Sequence, residues 1–164
     1  MNFLYILLSF LLGFLTKYCD KKFSNKILAI SLFAVSIMIY LSTSNDGFVI
    51  FFPIFFGVLI GGKLDELHFK IDGVVYGAFS IYKIFLDGFP SVIILIIMAA
   101  AIDEFGNDMA DRGELKLLSN FFKKRLFLDL FCFALAVASV LTWTSAIMLF
   151  CFDIGYQLAT KMRA

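Results

Sequence analysis

The chain has 164 residues, enough for one domain, and 14 Lys and Arg against 13 Asp and Glu give a net charge of +1. It is 62% hydrophobic, with 22 phenylalanines and two prolines, and its mean hydropathy is +0.95. A soluble domain is about 45–50% apolar and a chain this short has little interior, so a water-soluble globular fold is excluded, and the balanced charge gives no reason to expect a nucleic-acid partner.

The apolar runs are continuous rather than alternating, which excludes a membrane β-barrel. They imply an all-α, polytopic bundle of transmembrane helices in the cell membrane, a single integral membrane domain over residues 1–164. Seven segments can be marked, at 3–16, 27–42, 48–62, 73–87, 91–102, 126–141 and 143–159. The first, within MNFLYILLSFLLGFL, lacks the leading cations and small-residue cleavage site of a signal peptide. Its cations follow it, at Lys17, Lys21, Lys22 and Lys26. The fourth carries Gly73, Gly77, Lys83 and Asp87. Were it interfacial, six helices would span. Lys83 and Asp87, at i and i+4, are placed to neutralise each other.

Charge distribution orients the chain. Of the 14 cations, all but Lys83 fall in alternate connections or in the C-terminal tail on the same side. The positive-inside rule then puts the N-terminus outside and the C-terminus in the cytoplasm. Both acidic stretches, residues 62–73 and 102–116, lie on the cytoplasmic face. They are alike: Leu64-Asp65-Glu66-Leu67 matches Ile102-Asp103-Glu104-Phe105, and each has a later aspartate followed by a glycine, Asp72-Gly73 and Asp111 with Gly113. This similarity suggests a parallel internal repeat, 48–87 and 91–141.

Residues 102–116 read IDEFGNDMADRGELK. If the fifth helix continues through them, Glu104, Asp108 and Asp111 share one face at i, i+4 and i+7, with Asp103, Asn107 and Glu114 on an adjoining strip. Like charges at i, i+4 repel, and carboxylates at a helix C-terminus oppose its dipole. A cation would neutralise them, and Mg²⁺ suits a few carboxylates plus phosphate oxygens. The competing reading is a solvated loop broken at Gly106 and Gly113. In the earlier stretch Asp65, Phe69 and Asp72 share a face, with His68, the single histidine, expected as a hydrogen-bonding surface residue. Asp129 and Asp153 sit inside apolar segments, where charge is expensive and functional by default, or else pairs with Arg125 or Lys161. Lys123-Lys124-Arg125 reads as a topology anchor on anionic headgroups or as a clamp for a diphosphate. Cys19, Cys132 and Cys151 are widely spaced and read as packing or lipid-facing thiols.

Asn107-Asp108-Met109-Ala110-Asp111 resembles the N-D-x-x-D motif of the UbiA superfamily of intramembrane prenyltransferases. The resemblance implies Asn107, Asp108 and Asp111 at a Mg²⁺ site for a prenyl diphosphate, and it is confined to this stretch. Three functions follow as expectations. One is Mg²⁺-dependent transfer or hydrolysis on a prenyl or lipid (di)phosphate, with Asp108, Asp111 and Glu104 as the reacting set, Asp65 and Asp72 completing the metal site, and Asn107, Lys123, Lys124 and Arg125 holding the phosphates. The second is a small transporter or channel using Asp129 and Asp153. The third is a non-catalytic subunit of a membrane complex. Membrane lipid is the expected partner, and a homo-oligomer is compatible with each reading.

Overall fold

The computed structural model describes residues 3–20, 22–60, 66–114, 118–123 and 126–162. Those residues form eight helices and no strand: α1 (Phe3–Cys19), α2 (Asn25–Ser42), α3 (Asn45–Ile60), α4 (Leu67–Asp87), α5 (Val92–Asp111), α6 (Ser119–Lys123), α7 (Leu126–Val137) and α8 (Trp143–Lys161). Seven of them fall on the seven apolar segments. The short α6 was not anticipated. Only α2 is both long and apolar enough to cross a membrane by length and composition, while α1, α3 and α7 are apolar but shorter.

Local chemistry sets several boundaries. Ser24 caps α2 by accepting from the Ile27 amide at 3.2 Å, and Thr142 caps α8 by accepting from the Ser145 amide at 3.1 Å, each satisfying a donor the first turn leaves open. Gly88, with φ 81°, ends α4 in a conformation that suits glycine. The sixth segment was expected to reach residue 141. Its helix stops at Val137, and Ser139 takes φ 58°, so 138–142 form a turn that no Gly or Pro marks in the sequence.

The helices alternate in direction. Tyr5 of α1 meets Tyr40 of α2, and Phe14 of α1 lines one surface groove with Ala29 and Phe33 of α2, an antiparallel pair. Gly57 of α3 faces Ala100 of α5, and Phe52 faces Phe89, a parallel pair. Asp46 and Phe51 of α3 meet Ser145 and Phe152 of α8, again parallel. Thus α1, α3, α5 and α8 all finish at the end where α4 begins. Asp20, His68, Asp72, Asp103 and Glu104 gather at this carboxylate end. At the opposite end the Thr142 hydroxyl donates to Asp46 Oδ1 at 2.8 Å, and the Ser145 hydroxyl donates to the Asp46 carbonyl at 3.1 Å.

The closest packing joins α1 and α8. A Cβ on Gly13 would lie 1.9 Å from the Phe152 carbonyl oxygen, and one on Gly155 would lie 2.1 Å from that of Phe10. Small residues at both positions let the two backbones touch. Tyr76 fills the centre between α2, α3 and α4. It is fully buried, its hydroxyl bonds Ser42 Oγ at 2.8 Å, and its ring meets Phe55 edge-on.

Candidate functional site

The carboxylate end holds a partly open cavity of about 230 Å³ between α1, α2, α3, α4, α5 and α8. Its polar wall is Thr16, Asp20, Ser31, Asp72, Glu104 and Tyr156. Leu12, Val35, Met38, Phe51, Phe55 and Phe152 line it toward the middle of the helices. Ala34 and Gly73, both small, leave the space open. The chamber is therefore amphipathic, with three carboxylates at one end and hydrocarbon beyond them. Pockets of this kind fix an apolar ligand by burial and orient it with a few polar groups.

Each acid is held differently. Asp20 accepts from Lys17 Nζ at 2.7 Å, and the Lys17 ammonium lies 5.1 Å from the Tyr156 ring centre. Burial pulls Lys17 down, but Asp20 and Tyr156 more than offset it and hold its ammonium above the usual lysine value. Glu104 is buried on the inner face of α5. Asp72 stands at the start of α4, one residue before the fourth apolar segment. Burial raises its carboxyl from 3.8 to about 6, against the Ser31 hydroxyl and His68, which favour the charged form.

This shift predicts a pH dependence. The folded state binds the Asp72 proton more tightly than the unfolded chain does. Its contribution to stability is thus complete below about pH 4 and is lost as pH rises through about 6. Thermal unfolding in detergent across that window should show a falling midpoint. Asp72→Asn should flatten the profile by roughly 1 kcal/mol once solvent screening is allowed for.

His68 corrects the sequence reading. It is not at the surface but fully buried, with Nε2 2.9 Å from the Cys19 carbonyl oxygen and Phe23 and Phe69 rings against its own. A carbonyl only accepts, so Nε2 carries the proton, and in the neutral ring Nδ1 is an acceptor. Among the described residues that Nδ1 has no hydrogen-bond partner, and neither has Asp72 Oδ1 one helical turn away.

The expected site residues divide. Glu104 and Asp72 line the cavity. Asn107 and Asp108 are half-buried on α5, and Asp111 is exposed at its end; none of the three lines it. Asp65, Lys124 and Arg125 lie outside the described residues, as does the side chain of Lys123. The face of α5 turned inward carries Asp103, Gly106 and Ala110, with Phe122 of α6 packed on Gly106. Asp129 and Asp153 are buried where α7 meets α8, both acting on the Cys132 thiol, and neither lines the cavity. Lys83 is at the opposite end, bonded to Asp87 as expected and to Asn45 Oδ1 at 3.3 Å, 5.8 Å from the Phe48 ring centre. Asp20, Thr16 and Ser31 were not anticipated. The available signal for Asp20 was positional: like Asp103 and Asp153, it is an acid on, or just past, a helix running toward the carboxylate end.

A Mg²⁺ site needs several oxygen ligands on one ion. Among the described residues no three Asp, Glu, His or Cys side chains come together so as to hold one. The described set therefore does not fit a metal. Comparison with known family models, with characterised proteins and with solved structures finds no match to this chain.

Proposed function

We propose that the chain is a multi-pass membrane protein, N-terminus outside, that holds the apolar chain of a lipid-like amphiphile in its cavity with the headgroup at the cytoplasmic, carboxylate end. The observation carrying this reading is the cavity itself, acidic at one end and aromatic beyond. Its membrane setting is supported by an inverted distribution of polarity. Phe85 is 86% exposed, and Phe3, Val74, Ile81 and Val137 are nearly as open, while Asp103 is 0% and Asp153 3% exposed. Burying an apolar surface in hydrocarbon gains about 25 cal/mol per Å² over leaving it in water, so this exterior suits a bilayer.

Native mass spectrometry of protein extracted in mild detergent tests the cavity. One amphiphile retained per chain is the expected result, and a bare chain under conditions that keep annular lipid would sink the idea. Orientation is tested with single cysteines in a chain whose three native cysteines are replaced by alanine. Thr43→Cys and Glu114→Cys both sit at exposed positions. An impermeant maleimide should label the first on intact cells and the second only after permeabilisation. The reverse pattern would invert the topology.

Transfer or hydrolysis on a prenyl or lipid (di)phosphate is a second reading, favoured by Glu104 lining the cavity one helical turn from Asp108. It requires thermal stabilisation by Mg²⁺ or Mn²⁺ that Asp108→Asn and Asp111→Asn abolish. Equal response of parent and variants removes it.

A further inference from the structure

The hydrocarbon half of the cavity ends blind. The lining residues farthest from the carboxylate end are Leu12 of α1, Met38 of α2, Phe51 of α3 and Phe152 of α8. One turn farther on, the same helix faces carry Ser9, Leu41, Phe48 and Leu149, each at most 1% exposed. The Phe51 and Phe152 rings meet edge-on across this floor, their centres 6.0 Å apart. A core packed at interior density does not admit another methylene without strain. Met38 is half-buried and has three rotatable bonds, so it is the adaptable part of the floor.

Depth and volume give the same size of occupant. From Ser31 to Met38 on α2, and from Val58 to Phe51 on α3, the lining runs about 10 Å at ~1.5 Å per residue. Carbon–carbon bonds of about 1.5 Å advance an extended alkyl chain by about 1.25 Å per carbon, so about eight carbons reach the floor. The volume of about 230 Å³ holds about eight methylenes at roughly 30 Å³ each, close to the share of one water in the liquid.

Resting on the cavity reading above, we propose that the occupant is a single-chain amphiphile with a tail of about eight carbons, and that Met38 with the Phe51–Phe152 pair sets this limit. A phospholipid with two long chains exceeds both the depth and the volume. A longer single tail, stopped at the floor, lifts its headgroup away from the polar wall at Thr16, Ser31 and Tyr156.

The test uses the full chain in nanodiscs of zwitterionic lipid, with affinities referred to free aqueous ligand and partition into empty nanodiscs subtracted. The n-alkanols from butanol to tetradecanol share one headgroup and differ only in length. Affinity should rise about fourfold per carbon up to about octanol and then level off, while partition into empty nanodiscs keeps rising. Met38→Ala should move the break about two carbons longer, because truncation leaves space that the surroundings only partly fill. Met38→Trp should move it shorter. Met98→Ala, on the exposed side of α5 and away from the cavity, should leave it in place. A steady rise through tetradecanol, or a break that neither Met38 variant moves, overturns the length limit and leaves the cavity reading standing. If no alkanol binds above empty nanodiscs, the cavity reading itself fails.

Discussion

Gly13→Ala and Gly155→Ala should each lower the thermal unfolding midpoint sharply, and Gly13→Leu should leave no folded protein to purify. Helix propensity alone argues the other way, since alanine is favoured over glycine by about 1 kcal/mol in a helix interior. The added methyl would meet backbone oxygen at 1.9 Å on Gly13 and 2.1 Å on Gly155. Backbone in a packed helix cannot swing aside as a side-chain tip can, and overpacking typically costs about 1–3 kcal/mol, sometimes more. The steric term therefore exceeds the propensity term. Two other glycines calibrate the experiment. Gly77, in α4, has open space where its Cβ would go, so Gly77→Ala should be neutral or mildly stabilising. Gly106 would meet the Phe122 ring at 2.2 Å, and that ring sits on the five-residue α6, so Gly106→Ala should fall between. Midpoints measured in one detergent give the ranking, and a Gly13→Ala midpoint at or above that of Gly77→Ala contradicts the packing described.

Ala34→Phe is expected to abolish amphiphile binding without loss of the fold. Ala34 lines the cavity from α2 and is buried. A phenyl ring there has space to enter and takes the volume of about four methylenes of ligand chain. At about 0.8 kcal/mol per buried methylene, the loss is roughly 3 kcal/mol, or about a hundredfold in affinity. The retained adduct in native mass spectrometry should disappear. An unchanged adduct would place the bound molecule elsewhere on the protein.

Hydropathy located the helices but not their ends or their inward faces. The fifth segment was bounded at 102 because its apolar character stops there, yet α5 runs on to Asp111, since Glu, Met and Ala within the acidic stretch are good helix formers. Carboxylate spacing singled out Glu104, Asp108 and Asp111. Packing turned Glu104 inward together with Asp103, Gly106 and Ala110, and left Asp108 half-buried and Asp111 exposed; at Gly106 the Phe122 ring leaves no room for a side chain. The spacing of small residues was thus the better guide to orientation. His68 was placed at the surface from its interfacial position. It is buried because the Cys19 carbonyl, 49 residues away in sequence, satisfies one ring nitrogen, and no local pattern encodes such a partner. Phe69 and Asp72 were assigned to one face of α4 from their spacing, and both do line the cavity.

The intimate contact of α1 with α8 bears on biogenesis. During synthesis α8 is made after every other described helix, so the groove around Gly13 stays open until α2 to α7 have emerged. The early helices must wait for a partner more than a hundred residues downstream. Chains interrupted before Trp143 would display that unfilled groove, a feature by which quality-control proteases could distinguish an unfinished molecule from a completed one.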